Sequence, residues 1–222
     1  MRPWNIDGLS SVSQSADKKV FTILQLRLHE SVIALKRQVE DQLKSDPNHI
    51  FDVELTYITS RGNWYYASWK GDEEKSGGIA TNIGVHFFDM LHWIFGPLQQ
   101  QKVHARSHDR ASGVLRFKNA NVRWFLSINA ATLPEKVVQS GGRIHRSLRF
   151  DQWSFDFTEG FTELHSRSYA HILNEKGFSE RDAQPAISIV HGMRESLISP
   201  LDSEAHPLAS LPQDPHPFYP LK

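Results

Sequence analysis

Asn82, His86 and Asp89 stand four and three residues apart in the run from Ile79 to Phe95. On a helix that spacing brings all three side chains to one face. A neutral imidazole can take a proton from an alcohol near pH 7, and an amide one turn away can hold the same hydroxyl. Removing hydride from a carbinol carbon needs such a base. Ile83, Phe87, Met90, Leu91 and Ile94 fill the rest of the helix surface, so the helix is expected to be buried with its polar stripe partnered. Two blander readings stay open. In one, Asp89 fixes a core histidine that knits the helix to its neighbours. In the other, the stripe belongs to a metal site. One histidine and one carboxylate are few ligands, and the other histidines scatter without ligand spacing, so no metal is expected.

Candidate substrate contacts lie on two further segments. The stretch SRGNWYYASWKGDEEKS, residues 60 to 76, reads as a loop. Aromatic side chains on a loop are costly unless buried or used. Arg61, Trp64, Tyr65, Trp69 and Lys70 suit a pyranose, a uracil or a diphosphate through stacking and cation contacts. A loop tucked into the core, or a dimer contact, accounts for each of them singly as well. Val20 to Leu28 (VFTILQLRL) reads as a buried strand, with Gln25, Arg27 and His29 on one face. Arg27 there can grip a carboxylate or phosphate bidentately, or pair with Glu54 or Asp52. Arg143, Arg146 and Arg149 fall in an acid-free stretch, which suits a diphosphate or a solvated strand face.

The elements that must position these residues are read from periodicity and breakers. A short helix is expected within residues 1 to 18. A helix from Ser31 to Leu43 is closed by Asp46-Pro47, and Phe51 to Ile58 alternates as a strand with one polar face. The Ile79 to Phe95 helix comes after Gly77-Gly78 and stops at Gly96-Pro97. Four strands come next, at Lys102 to Ser107, Ala111 to Phe117, Val122 to Asn129 and Arg143 to Phe157, then helices from Thr162 to Glu175 and Arg181 to Leu197. The expected fold class is α+β, an open, mostly antiparallel sheet with helices on one face. Residues 20–200 are expected to form one substrate-binding and oligomerisation domain, with residues 1–19 a remnant segment and 201–222 a Pro-rich extended wrap. Trp124, Leu126 and Ile128 are expected on the uncovered sheet face, where they would pair with a second copy as a homo-oligomer.

Composition excludes several classes. Lys plus Arg and Asp plus Glu both number 25, so no global field favours nucleic acid or an anionic membrane. The absence of cysteine removes disulfide scaffolds, thiolate nucleophiles and Cys-type zinc sites, and it fits a cytoplasmic setting. The most apolar stretch, Gly78 to Gly96, is broken by Asn82, His86, Asp89 and His92, so no membrane span is expected. No Gly-rich turn of the dinucleotide type comes after a strand, so no nicotinamide site is visible.

The string KSGGIATNIGVHFFDMLHWIFG resembles the segment of the Gfo/Idh/MocA oxidoreductase family in which a Gly-Gly turn leads into the helix bearing the active-site histidine. ILQLRLHESVIALK, RGNWYYASWKGDEEKSGGIATNIGVHFFD and EGFTELHSRSYAHIL together resemble the branch that acts on UDP-N-acetyl-2-amino-2-deoxy-D-glucuronate in bacterial lipopolysaccharide O-antigen biosynthesis. The resemblance implies a sheet domain like the C-terminal half of glyceraldehyde-3-phosphate dehydrogenase. It also implies oxidation of the sugar 3-hydroxyl with NAD, with His86 and Asn82 at the reacting centre; His165 recurs in the family string without a role of its own. RPWNIDGL resembles the stretch just after the family's catalytic lysine, so the Rossmann half is expected to be missing. NAD is then expected to bind only the full-length enzyme, and this chain alone is expected to be inactive. The alternatives are a non-catalytic oligomerisation module, or a branch of the same family acting on inositol or free sugars.

Overall fold

The structure is a computed structural model that describes residues 2–151, 153–156 and 162–218. Pro3 at the first helical position, with Asn5 accepting the Arg2 backbone N–H at 2.8 Å, starts α1 (Pro3–Ser15). β1 (Phe21–Thr22) comes next. The strand expected over Val20 to Leu28 ends there, because Gln25–Leu28 forms a 3₁₀ turn. Tertiary contacts override the β propensity of the run: the turn sends Leu26 and Leu28 into the core and Arg27 toward a buried partner. Gln25, Arg27 and His29 therefore do not share a strand face. α2 (Glu30–Ser45) buries Val32, Leu35 and Val39, and leads to β2 (Phe51–Thr59).

The loop expected from Ser60 to Ser76 contains two short helices, α3 (Trp64–Ala67) and α4 (Glu73–Ser76), the second capped by the Asp72 carboxylate. A π-helical turn over Ala80–Gly84 then runs into α5 (Val85–Phe95). β3 (Leu98–Arg106), β4 (Arg110–Phe117) and β5 (Ala120–Ser127) form a meander, with α6 (Glu135–Gln139) after it. The single strand expected from Arg143 to Phe157 is a hairpin of β6 (Ile144–Phe150) and β7 (Trp153–Asp156); Asp151 lies between them at φ 48, and Phe157 is outside the described residues. α7 (Leu164–Leu173), β8 (Phe178–Ser179) and α8 (Glu180–Glu195) complete the elements.

The main sheet is open, with order β3-β4-β5-β2-β6-β7. β2 lies parallel to β5, and the other neighbours pair antiparallel. β1 and β8 make a separate two-stranded ribbon. On one sheet face Val53, Leu55, Leu115, Val122, Trp124, Leu126, Ile128 and Leu148 meet the apolar sides of α2, α5 and α8 in one core. α1 packs on α8 through Ile6, Ala183 and Ile187, and Leu24, just before the 3₁₀ turn, joins the same cluster.

The register reverses one expectation. Trp124, Leu126 and Ile128 face the helices and are fully buried, while Phe125 points to the opposite face. There it is covered by the chain's own C-terminal segment, whose His206 ring stacks on it at 5.5 Å. The alternation of a strand says that odd and even residues part, and it does not say which set meets the helices. The tail expected to be extended contains a 3₁₀ turn at Pro207–Ser210, and Pro220 lies outside the described residues.

Candidate active site

The helix bearing Asn82 and His86 is held against the sheet by a close approach. A Cβ at Gly84 would stand 2.6 Å from the Phe88 ring and 2.8 Å from a Leu126 methyl, so the turn carrying both polar residues lies directly on β5. Gly77, in the left-handed region at φ 78, caps α4 and turns the chain into the π segment. Such single π turns are a common device where a helix must present a side chain at a site.

The polar stripe divides. Asp89 is 2% exposed and takes a forked bond from Arg27, Nε to Oδ2 at 3.0 Å and Nη2 to Oδ1 at 2.7 Å. Arg27 also donates to the Asp182 carbonyl and lies over the Phe178 ring. Burial pushes the Asp89 carboxyl up, against the pull of Arg27. Arg27 is thus a structural cation tying α5 to α8. It grips neither Glu54 nor Asp52, and Asp89 fixes an arginine rather than a histidine. Glu54 and Asp52 pair instead with Arg149 at 2.6 Å and Arg123 at 3.0 Å. Arg146 lies over the Tyr57 ring on the helix-covered side.

Asn82 turns the other way, and its Nδ2 donates to the Tyr65 phenol oxygen at 2.8 Å. Tyr65 is buried from α3, and that burial raises its phenol above the ordinary range. His86 is partly buried. Burial first, and the nearby His165 imidazole second, hold it below the usual histidine range, so it is neutral at pH 7. A neutral imidazole beside a fixed amide is a competent acceptor for a hydroxyl proton. Arg61 is exposed but close enough to act on Tyr65 electrostatically, and its backbone N–H bonds the Ile128 carbonyl, which fixes the loop's start to the sheet. Trp64 and Trp69 are 56% and 57% exposed on the same loop, with Lys70 partly buried beside Trp69.

The structure therefore pairs Asn82 with Tyr65 and sets His86 near His165, with Arg61, Trp64, Trp69 and Lys70 on the loop carrying Tyr65. It places Gln25 and His29 with the core turn, where the Gln25 Oε1 is buried without a hydrogen-bond partner among the described residues. A cluster that sequence reasoning missed lies on the far side of the loop: Tyr66 meets His108 at 5.8 Å and His216 at 5.4 Å between ring centroids. Its members are scattered along the chain, so no spacing could have announced it.

Among the described residues no group of His, Asp and Glu is arranged to hold a metal, and no helix is long and apolar enough to cross a membrane. The Gly77-Gly78 turn comes after α4 rather than a strand, so it is not the strand–turn–helix cradle that a dinucleotide pyrophosphate uses.

An open mixed sheet, helices on one face and a histidine-bearing helix entered through a Gly-Gly turn make an α+β domain. The chain belongs to the Gfo/Idh/MocA oxidoreductase family: the model described as "Oxidoreductase family, C-terminal alpha/beta domain" matches residues 48–198. Among solved structures it is similar to the WlbA (WbpB) dehydrogenase from Thermus thermophilus. The complex of that protein with NAD and alpha-ketoglutarate aligns at 41% identity and TM-score 0.88, over 93% of this chain and 66% of that one. Its complex with NAD and UDP-GlcNAcA aligns at 40% identity and TM-score 0.87, over 93% and 65%. The chain thus spans just under two thirds of the Thermus protein. The WlbA dehydrogenase from Bordetella pertussis, with NADH and UDP-GlcNAcA, shares the fold at 18% identity and TM-score 0.64, over 90% of this chain and 69% of that one.

Proposed function

We propose that this chain is the sugar-nucleotide side of an NAD-dependent dehydrogenase whose substrate is a UDP-N-acetylglucosaminuronate. The observation that carries the reading is the partly buried, neutral His86 beside the Asn82 amide that Tyr65 holds. Identity of about 40% to a dehydrogenase solved with UDP-GlcNAcA supports the choice of sugar nucleotide over inositol or a free sugar. In this reading Asn82 orients the 3-hydroxyl and His86 takes its proton as the carbinol becomes a ketone. Trp64, Trp69, Arg61 and Lys70 contact the nucleotide. NAD belongs to the Thermus complexes, and none of the described residues here is assigned to it.

Titration calorimetry of the chain with UDP-GlcNAcA, with UDP alone as comparator, tests the binding half. Saturable binding of the uronate well above that of UDP is expected. No heat with either ligand would sink the assignment. In a chain joined to a dinucleotide-binding domain, His86→Ala should lower kcat by about 10²-fold or more and leave ligand affinity nearly unchanged. A second copy is proposed to meet the part of the outer sheet face around Asp52, Glu54, Arg123, Arg149 and Trp153. These residues border an open depression of about 300 Å³, with Trp153 54% exposed. Sedimentation velocity on the wild type and Trp153→Glu tests that contact. Two monomers would remove it.

A further inference from the structure

The C-terminal segment crosses the outer face of the sheet from β3 to β2 before it reaches the aromatic loop. It leaves α8 beside the edge strand, where the Ser199 backbone N–H bonds the Val103 carbonyl at 2.8 Å. Asp202 then meets Lys102 of β3 at 2.7 Å, and Glu204 meets Arg116 of β4 at 2.5 Å. His206, 3% exposed, bonds Thr56 of β2 and stacks on Phe125 of β5. Leu211 gives its carbonyl to Arg110 at 2.9 Å, and Asp214 accepts from Asn129 Nδ2 at 2.6 Å, while the same amide reaches Asp109 at 2.9 Å. His216 finally packs edge-on against Tyr66 and His108, at 5.4 Å and 4.8 Å between centroids.

The exposed ion pairs contribute little by themselves. What matters is their sequence: successive anchors on β3, β4, β2 and β5 fix the chain at short intervals before it reaches Tyr66. Tyr66 is the immediate neighbour of Tyr65, which holds the Asn82 amide. Trp64 on α3 and Trp69 just after it are both more than half exposed. The residues that the strap itself contributes to these contacts all lie beyond residue 198, where the match to the family domain stops.

We propose that residues 199–218 are a strap that positions the aromatic loop for its ligand, with His216 acting through Tyr66 as the positioning residue. Two observations favour this over a passive wrap. The strap's end closes on the loop itself, at Tyr66, and on His108 in the turn between β3 and β4, and both are ring contacts, which fix orientation as well as distance. The ligand half of the proposal rests on the reading that this loop takes a UDP-sugar.

The test compares the chain with a version ending at Ser210, which keeps His206 in place. A second pair, His216→Ala and His216→Phe, guards against misfolding of the truncated form. Amide hydrogen exchange is followed at Tyr65, Ala67, Ser68 and Gly71, whose N–H groups bond carbonyls within the loop. Exchange at these amides should rise about tenfold in the truncated chain and in His216→Ala, the scale expected for loss of two ring contacts. His216→Phe, which keeps the ring, should restore protection. Affinity for UDP-GlcNAcA, read by calorimetry on the same four proteins, should fall about tenfold wherever protection is lost. Unchanged exchange in both the truncated chain and His216→Ala overturns the strap whatever the ligand does. Faster exchange with unaltered affinity overturns the positioning role. Faster exchange in a system where even the intact chain binds no UDP-GlcNAcA upholds the strap and removes the substrate reading instead.

Discussion

Lowering the pH should unlatch His206. Its Nδ1 accepts the Leu208 backbone N–H at 3.1 Å, so the ring proton sits on Nε2 and is donated to Thr56 Oγ1 at 2.9 Å. A second proton on Nδ1 would face that N–H and break the arrangement. Burial first, then the Arg123 and Arg149 guanidiniums, push His206 down from 6.5 to about 3; the Glu54 carboxylate, 3.9 Å from Nε2, is itself paired with Arg149 at 2.6 Å. The folded state therefore binds this proton less readily than the unfolded chain. Its contribution to stability is complete above pH 6.5 and is lost as the pH falls toward 3. From those two values the linkage relation gives a loss of about 2 kcal/mol between pH 8 and pH 5. Urea unfolding of the wild type and His206→Gln at both pH values measures it. The variant should be less stable at pH 8, having lost the stack on Phe125, yet its stability should fall by about 2 kcal/mol less on acidification. His86, His92, His104 and His108 are also held down in the fold, but both proteins contain them and they cancel in the difference. An equal pH dependence in the two proteins would refute the reasoning.

Two further substitutions probe how the site's helix is held. Arg27→Leu alone should cost about 3–5 kcal/mol, because it strands the Asp89 carboxylate in the core, whereas Arg27→Leu combined with Asp89→Leu should recover most of the loss. Denaturant unfolding of the two singles and the double decides it, and simple additivity would show that the pair is not coupled. Gly84→Ala should destabilise by about 1–3 kcal/mol, since the new methyl meets Phe88 and Leu126. An unchanged unfolding midpoint would mean that the helix does not lie that close to β5.

Much of the architecture was legible in the linear order of residues. Apolar spacing located α2, the helical run before Gly96, α7 and α8, because a helix that must bury one side repeats its apolar residues every three or four positions whatever it packs on. The open α+β arrangement was implied by four strand-like stretches in succession. Asn82 and His86 stand on successive segments, the π turn and α5, which spacing alone read as one helix. The aromatic loop was also visible, because five large or charged side chains between turn signals are conspicuous wherever they fold.

Other decisions were made only by contacts between distant segments. Val20 to Leu28 has the composition of a strand, yet the requirement to bring Arg27 onto Asp89 and Leu26 and Leu28 into the core coils it into a 3₁₀ turn. Which face of β5 meets the helices is invisible in an alternating strand, and the register put Trp124 inward and Phe125 beneath His206. The Tyr66, His108 and His216 cluster joins residues 42 to 150 positions apart, separations at which local pattern carries no information. The sequence by itself determined the kinds of element and the residue types able to do proton chemistry, since both depend on short-range periodicity and intrinsic side-chain properties. The partners of Arg27, Asp89, Tyr65 and His206 were decided only by the tertiary structure, because pairing of buried polar groups is settled by what else is buried beside them.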